Sequence, residues 1–333
     1  MPGKPIRLAN ADDHRWLDAA ARLAARGLPL SRPNPAVGAL LVKHGKVVAR
    51  GFTQPGGRPH AEAMALAEAG TAARGAALYV TLEPCAHKST RGPACADLVA
   101  EADLARVVVG CADPDPRTSG AGLAHIRVSG TPAELAENAA CATSLAGYLV
   151  RTQLGRPHVT LKLALTLDGC IAMADGTSQW ITGEAARAHT HAMRARADAI
   201  LVGGGTLRAD APRLDVRLPG LEHRSPERWL LTRGAAPEGW RALPSPRAIF
   251  GQAAQYLFIE GGAQTAAAFL AADLVDRLLI YRAPILLGTG RPALGDIGLV
   301  ALADAHGRWR PAGRRALGKD TLEVYERTRS SQG

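Results

Sequence analysis

The sequence feature that most restricts how this chain can fold is a set of metal-ligand side chains between His60 and Cys95. His60, Cys85 and Cys95 supply one imidazole and two thiols, which Zn²⁺ prefers, and three protein ligands leave a fourth position for water. Zinc would lower the pKa of that water towards about 7. Glu62 lies two residues after His60 and could carry the water's proton to a leaving amine. The pattern is typical of zinc deaminases, whereas a structural zinc site usually has four protein ligands and no need of Glu62.

The spacing of the two cysteines departs from that of base deaminases, in which the second cysteine follows the first after two residues. Here nine residues separate Cys85 from Cys95, and the intervening loop contains His87, Lys88 and Arg91. Two hydrogen-bond donors and a fixed positive charge at the pocket mouth suit a phosphorylated substrate. Which basic residue of the loop contacts the phosphate stays open.

The charge of the chain favours a small anionic ligand over a nucleic acid. Its 40 lysines and arginines exceed its 30 acidic residues and give a net charge of +10. These cations are scattered, with no run of five or more and no interleaved aromatic residues on which bases could stack. We therefore expect a solvated surface that attracts a phosphorylated small molecule, with no nucleic-acid partner.

Composition also suggests where the protein works and how many domains it has. A length of 333 residues makes two domains the natural expectation. The sequence contains no uninterrupted run of about 18 apolar residues, so it predicts no membrane span. The five cysteines are odd in number and widely spaced, and residues 1–4 lack a secretory leader pattern. These features predict a cytoplasmic protein without disulfide bonds.

The first half alternates helices and strands. Apolar periodicity predicts a first helix over residues 11–26, capped by Asp12 or Asp13, and a helix that His60 begins. Asn34 follows a stiff proline loop, and it is either a turn residue or an amide that contacts a pyrimidine ring. The order predicts an α/β sandwich. Further strands are predicted over 37–42, 47–51, 78–82 and 106–110, and helices over 94–101 and about 131–153.

The second half contains two strands that run directly into glycines. The strand over 198–202 meets Gly203–Gly205, and the strand over 255–260 meets Gly261 and Gly262. Such junctions let backbone N–H groups approach a phosphate, although the first could be no more than a turn. Together they suggest a dinucleotide or phosphate site. The Gly-Arg-Pro at 155–157 marks the boundary, which gives domains of residues 1–153 and 154–333.

Several different short motifs occur along the chain, and their order is that of a known family. The first half contains PNPAVG at 33–38, GRPHAE at 57–62 and TLEPCAH at 81–87. The second half contains LKLA at 161–164, LDG at 167–169, SQWITG at 178–183, GGGT at 203–206, DAPRL at 210–214 and EGGA at 260–263. In these motifs the chain resembles, nearly end to end, the bifunctional riboflavin-biosynthesis deaminase–reductases.

The resemblance implies a cytidine-deaminase-like α/β/α sandwich followed by a dihydrofolate-reductase-like α/β domain. It implies zinc-dependent removal of the 2-amino group of 2,5-diamino-6-ribosylamino-4(3H)-pyrimidinone 5′-phosphate, then NADPH-dependent reduction of the ribosyl chain to ribityl. It also implies a homo-oligomer, with a dimer formed through the reductase half.

The family's functional positions carry over to residues of this sequence. The zinc ligands correspond to His60, Cys85 and Cys95, and the proton shuttle to Glu62. Cofactor positions correspond to Ala164, Trp180, Thr206, Asp210 and Gly262. Substrate positions correspond to Asn34, His87, Lys88, Arg91, Lys162, Ser178, Arg194, Leu214, Arg217 and Glu260.

Some segments differ from the family pattern. Thr53 stands where a histidine is common, and segments 121–133 and 231–255 are short, the second of them in a region that could contact the cofactor. Two alternatives therefore stay open. One is a zinc deaminase of nucleic-acid bases, and the other is a deaminase whose second domain is not catalytic.

Overall fold

The computed structural model describes residues 9–87 and 89–329, so the predictions that concern residues 1–4 and Lys88 fall outside it. The chain divides into two compact units between Gly155 and Arg156. Among the described residues, none of the helices has both the length and the apolar character that spanning a bilayer requires.

The first unit is built on a five-stranded sheet. Its strands lie in the order β2–β1–β3–β4–β5, with β1 antiparallel to both neighbours and β3, β4 and β5 mutually parallel. The elements are α1 (Ala11–Ala24), β1 (Gly38–Lys43), β2 (Lys46–Phe52), α2 (Ala61–Ala69), β3 (Ala77–Val80), α3 (Cys95–Glu101), β4 (Arg106–Val109), α4 (Ala121–Val128), β5 (Ala133–Leu135), α5 (Ala139–Ser144) and α6 (Ala146–Leu154).

Helices cover both faces of this sheet, because each strand alternates its apolar side chains between them. Leu40 of β1 packs with α1 and α5, whereas Leu41 faces α2, α3 and α4. The predicted α/β/α sandwich is therefore confirmed for the first unit. His60 precedes α2 and Cys95 is the first residue of α3, so this arrangement positions two residues of the metal-ligand motif.

Two helix predictions in this unit are wrong in detail. The cap of α1 is Asn10, whose side chain accepts a hydrogen bond from the Asp13 backbone N–H (3.1 Å), while Asp13 accepts one from the Asn10 N–H (2.9 Å). Residues 131–153 form no single helix, because Pro132 precedes the short strand β5 and Asn138 caps a new helix, α5. Helix α4 was not predicted.

The second unit contains an eight-stranded sheet in the order β10–β9–β8–β11–β6–β12–β15–β14. Neighbours from β10 to β12 are parallel, whereas β15 is antiparallel to β12 and β14. The elements are β6 (His158–Leu165), β7 (Cys170–Ala172), α7 (Glu184–Arg194), β8 (Ala199–Gly203), α8 (Gly204–Asp210), β9 (Glu227–Leu231), β10 (Trp240–Leu243), β11 (Tyr256–Ile259), α9 (Ala263–Ala271), β12 (Arg277–Arg282), β13 (Arg291–Pro292), β14 (Trp309–Leu317) and β15 (Asp320–Arg327).

The two faces of this sheet are also covered by helices. Phe269 of α9 packs on one face with Leu161 of β6, and Ala186 of α7 packs on the other face with Ile200 of β8. Because the six parallel strands end at one edge, the loops at their carboxyl ends gather there, which is where open α/β sheets bind ligands. The second predicted site should therefore lie at this edge.

Candidate active sites

Three potential zinc ligands converge in the first unit. His60 is the residue that precedes α2, Cys95 is the first residue of α3, and Cys85 lies in the loop that follows β3. Nδ1 of His60 lies 3.2 Å from Sγ of Cys95 and 3.6 Å from Sγ of Cys85. Ligand atoms around a tetrahedral zinc ion are about 3.5 Å apart, given Zn–N and Zn–S bonds of about 2.0–2.3 Å. The donor set therefore fits a catalytic zinc ion.

Hydrogen bonds fix the two sulfur atoms at the start of α3. The Cys95 N–H donates to Sγ of Cys85 (3.4 Å), and the Ala96 N–H donates to the Cys85 carbonyl (3.1 Å). The hydrogen bond from the Cys95 thiol, assisted by His60, lowers the pKa of Cys85, while the same bond and burial raise the pKa of Cys95. Zinc ligation takes both sulfurs as thiolates.

Glu62 lies in the first turn of α2 beside these ligands. The residue is only 3% exposed. Burial raises the pKa of Glu62 to about 6, although the charge of His60 opposes the rise. A carboxyl group with this pKa can accept and return a proton near neutral pH, which is what general acid–base catalysis requires.

Asn34 contacts the far side of the His60 ring. Its Nδ2 lies 2.9 Å from Nε2 of His60 and donates to the Gly57 carbonyl at 2.8 Å. The alternatives left by the sequence, a turn residue or an amide that contacts a pyrimidine ring, both stay predictions; the structure shows that this amide lies beside His60. Asn34 orients the ring whose Nδ1 faces the sulfur atoms.

A compact cluster of charges marks the second unit. Glu260 follows β11, and its carboxylate accepts hydrogen bonds from Arg194 through Nε (2.5 Å) and Nη2 (3.0 Å). Nζ of Lys162 on β6 lies 3.7 Å from the same carboxylate. Burial would raise the pKa of Glu260, but the two cations outweigh it and lower the pKa. Glu260 is therefore ionised at neutral pH.

The two strand–glycine–helix junctions meet beside this cluster, because β8 and β11 are neighbouring strands. The Gly262 N–H donates to Oγ1 of Thr206 (3.3 Å). A Cβ at Gly203 would lie 2.2 Å from Oγ1 of Thr265, so no larger residue fits there. The paired glycine turns fit a phosphate-bearing cofactor, whose chain of phosphates needs close backbone approach.

Comparison with known proteins identifies the family of both units. Residues 10–111 match the cytidine and deoxycytidylate deaminase zinc-binding region, and residues 157–246 and 247–322 match the RibD C-terminal domain. The riboflavin biosynthesis protein RibD of Haemophilus influenzae is 35% identical, over 95% of this chain and 98% of that protein. RibD of Escherichia coli is 36% identical over 88% and 94% of the two chains. The chain belongs to the RibD family.

Solved structures of the family agree along the whole fold. Acinetobacter baumannii RibD, form 1, has a TM-score of 0.84 at 33% identity and covers 95% of this chain and 99% of that one. The Thermotoga maritima diaminohydroxyphosphoribosylaminopyrimidine deaminase/5-amino-6-(5-phosphoribosylamino)uracil reductase has the same TM-score at 29% identity, with the same coverage. The predicted fold class is thus confirmed, and the chain is a bifunctional enzyme of riboflavin biosynthesis with a deaminase and a reductase domain.

The remaining residues predicted for the RibD deaminase site lie in the loop between the cysteines. Nδ1 of His87 is 3.5 Å from Oγ1 of Thr118. Arg91 is exposed, and its Nη2 donates to the Gly56 carbonyl (2.6 Å), so it lies beside the segment that leads to His60. Their contacts with a substrate stay predictions, as does the role of Lys88.

The remaining predicted residues of the RibD reductase site are more dispersed. Ala164 lies two residues beyond Lys162 on the same face of β6, and Asp210 is exposed at the end of α8. Ser178 and Trp180 belong to the loop before α7, where Trp180 is 64% exposed and the guanidinium of Arg187 lies 4.8 Å from the centre of its ring. Leu214 is buried in the core under α7.

Arg217 lines a cavity of about 360 Å³ together with Arg213 and Asp215. This cavity adjoins the charge cluster, because Nη1 of Arg194 donates to the Asp215 carbonyl (2.9 Å). Arg194 and Arg217 therefore lie close together, and their assignment to the substrate stays a prediction.

Glu83 has a role that the sequence analysis missed. Its buried carboxylate accepts hydrogen bonds from the backbone N–H groups of Gly120 (3.0 Å) and Leu123 (3.0 Å). Helix α4 has no capping side chain, since its N-cap is Gly120, so Glu83 satisfies donors that would otherwise be unpaired. The residue therefore fixes the segment that contains Cys85. The only signal of this role in the sequence was the position of Glu83, two residues before Cys85.

We expect Glu83→Gln to weaken zinc retention and to slow deamination about tenfold, because its amide NH₂ would face backbone donors at a cost of about 1–3 kcal/mol. Zinc retained after dialysis against a chelator measures the effect, and reductase activity serves as the internal reference. Glu137→Gln, at an exposed position, is the matched control. Zinc retention equal to that of the wild type would contradict the role.

Cys95→Ser is expected to lower the bound zinc to well below one ion per chain, because a hydroxyl is a poor replacement for a thiolate ligand. Metal analysis of the purified protein measures this. Cys111→Ser is the control, since Cys111 lies outside the ligand cluster. An unchanged zinc content would remove Cys95 from the site.

Proposed function

We propose that the first unit deaminates 2,5-diamino-6-ribosylamino-4(3H)-pyrimidinone 5′-phosphate with His60, Cys85 and Cys95 as zinc ligands. The convergence of these donors beside the buried carboxyl of Glu62 is the observation that carries the proposal. Zinc supplies an activated water as the nucleophile. In the overall reaction, water adds to C2 of the ring and ammonia leaves, so that a ring carbonyl replaces the amino group.

Glu62 is the proton carrier in this proposal. Its pKa of about 6 lets it take a proton from the attacking water and deliver it to the departing amine. Asn34 holds the His60 ring by its Nε2 edge. His87, Lys88 and Arg91 are assigned to the ribosyl phosphate, because they provide the donors and the positive charge that this group requires.

We propose that the second unit reduces the deaminated product with NADPH. The cofactor supplies a hydride to C1′ of the ribosyl group, and a proton is required at the ring oxygen that becomes a hydroxyl. Arginine does not release its proton in proteins, and Glu260 is ionised. Lys162 is therefore the member of the charge cluster that can donate the proton.

The positions of the other reductase residues support this assignment. Thr206 and Gly262 belong to the paired glycine junctions that suit the cofactor's phosphates, and Ala164, Trp180 and Asp210 complete the proposed cofactor set. Arg194 and Arg217 are assigned to the substrate, with Arg217 at the open cavity where a 5′-phosphate can enter. Ser178, Leu214 and Glu260 complete that set.

An assay of the purified, zinc-loaded chain tests both steps. The diaminopyrimidinone ribosyl phosphate is supplied under anaerobic conditions, and products are identified by mass spectrometry with and without NADPH. We expect the deaminated compound alone without NADPH, and the ribityl compound when NADPH is added. Deamination without reduction would support the alternative of a non-catalytic second domain, and no conversion at all would reject the substrate.

Two further predictions concern the assembly and the location of the enzyme. We infer a homo-oligomer from the family resemblance and a cytoplasmic location from the cysteine content. Light scattering of the purified protein tests the first, and fractionation of the producing cells tests the second.

A further inference from the structure

The turn between β14 and β15 reaches the edge of the second sheet at which its parallel strands end. β15 is antiparallel to β12, and Thr321 of β15 pairs with Arg282 at the carboxyl end of β12. The turn also touches the first turn of α7, since a Cβ at Gly318 would lie 3.5 Å from Cβ of Ala185. A distant hairpin therefore supports the start of α7.

Asp320, the first residue of β15, is bound to the amino end of α7. It is 1% exposed, and its Oδ2 accepts a hydrogen bond from the Gly183 N–H (2.6 Å), 137 residues earlier in the chain. Gly183 is the N-cap of α7 and has no side chain with which to cap the helix. Asp320 therefore supplies the acidic group that a helix more often takes from its own N-cap or first turn.

The second oxygen of Asp320 indicates that this position is held for a reason. Its Oδ1 is buried and has no hydrogen-bond partner within residues 9–87 and 89–329. Asp276 of the same unit, by contrast, accepts hydrogen bonds from Arg156 on both oxygens (2.7 and 2.9 Å). An unsatisfied buried oxygen lowers stability, and proteins retain such groups mainly where a functional site needs them. The contact with Gly183 is the one that Asp320 provides to α7.

Arg187 holds the same segment from within α7. Its Nη1 donates to the Thr182 carbonyl (2.7 Å), and its guanidinium lies 4.8 Å from the centre of the Trp180 ring. A guanidinium over an aromatic ring is attracted by the electron density of the ring face. Because Trp180 is 64% exposed, packing alone does not orient its ring, and Arg187 limits how the ring can turn.

We propose that Asp320 and Arg187 are positioning residues of the reductase. Together they hold the segment of residues 178–183, so that Ser178 and Trp180 are presented to their ligands. The inference rests on the proposed function, in which Ser178 binds the substrate and Trp180 the cofactor. A binding segment that is ordered beforehand loses less conformational freedom when its ligand binds, and affinity rises accordingly.

The test is steady-state reduction of the deaminated intermediate by the full chain, with a separate titration of NADPH followed by its own fluorescence. We expect Asp320→Ala and Arg187→Ala each to raise the KM and the Kd for NADPH about tenfold, the effect of losing one hydrogen bond to a charged group. kcat should change less than about threefold, because contacts made equally in the ground and transition states affect KM. Deamination by the same sample is the internal reference.

This split between KM and kcat separates positioning from a structural role. A variant that is only destabilised contains fewer active molecules, so its kcat falls while its KM stays constant. Asp198→Ala provides that reference, because Asp198 is a buried aspartate that accepts the N–H groups of Gln255 and Tyr256 (2.9 Å each) at the opposite ends of the strands. Arg310→Ala, on the exposed strand β14, is the control for Arg187→Ala and should change neither constant.

Conservative variants test the hydrogen bond of Asp320 directly. Asp320→Asn retains an oxygen for the Gly183 N–H, and asparagine caps helices about as well as aspartate does, so its KM should stay within about threefold of the wild type. Should Asp320→Ala fail to fold, Asp320→Glu takes its place. The longer side chain retains the carboxylate but displaces it from Gly183, so the KM should still rise.

The outcomes separate this inference from the proposed function. If the wild type reduces the intermediate and the KM is unchanged in Asp320→Ala and Arg187→Ala, the inference is overturned and the reductase assignment stands. A fall in kcat alone, as in Asp198→Ala, overturns it too, because the effect is then structural. If the wild type neither binds NADPH nor reduces the intermediate, the assignments of Ser178 and Trp180 fail and the inference fails with them.

Discussion

Glu62→Gln is expected to lower the rate of deamination by a factor of about 10³ or more, while zinc content and reductase activity stay unchanged. The amide has nearly the shape of the carboxyl group but can neither take a proton from water nor return one, and proton transfer of this kind contributes about 10²–10⁴-fold. Metal analysis and conversion of the diaminopyrimidinone substrate, followed by mass spectrometry, measure the two properties on the same sample.

Glu68→Gln is the matched control for this variant. Glu68 is an exposed residue on the same helix, and its carboxylate accepts a hydrogen bond from the Arg50 backbone N–H (2.8 Å). The Glu68→Gln variant has the same chemical change away from the metal ligands, and its deamination rate should equal that of the wild type. Substantial activity in Glu62→Gln would show that another group carries the proton.

Glu260→Gln is expected to slow reduction about 100-fold or more and to leave deamination unchanged. The carboxylate balances the charges of Arg194 and Lys162, and a neutral amide would leave the buried guanidinium without its counter-charge. Breaking a buried pair in this way costs about 3–5 kcal/mol, and each 1.36 kcal/mol lost from transition-state stabilisation is tenfold in rate. Incubation with substrate and NADPH should accumulate the deaminated intermediate.

The control for this second variant is Glu323→Gln. Glu323 pairs with Arg282 (3.3 Å) across β12 and β15 of the same sheet, but it is a residue of a partly exposed ion pair outside the charge cluster. Its replacement should have little effect, since such pairs contribute about 0–1 kcal/mol. Normal reduction by Glu260→Gln would exclude an essential role for the cluster.

The cluster of His60, Cys85 and Cys95 could be predicted from the sequence because short motifs contain its residues. His60 and Glu62 share the start of one helix, and Cys95 begins another, so a short motif and its periodicity predict how each side chain is presented. The strands β1–β4, β8 and β11 were predicted for a similar reason, since strands with buried side chains contain apolar runs, whereas β9 and β10 were not predicted. The boundaries then shifted by only one or two residues.

The parts that were missed depend on contacts between distant segments. Residues 131–153 contain enough helix-forming residues to suggest one helix, and only the pairing of β5 with β4 shows that the chain is extended at Ala133–Leu135. Glu83 acquires its role from backbone donors more than 35 residues away. The sequence likewise assigned Arg194 and Glu260 to the substrate separately, whereas the structure shows them bound to one another.

Each unit has a hydrophobic core of its own, and within residues 9–87 and 89–329 no residue is shared between the cores of the first and second units. A defect in one chemistry therefore need not disturb the other. A mixture of Glu62→Gln and Glu260→Gln proteins should complete the two-step conversion, provided that the intermediate leaves the first site. In a cell, two defective alleles of this one gene would then complement each other, as mutations in two separate genes do.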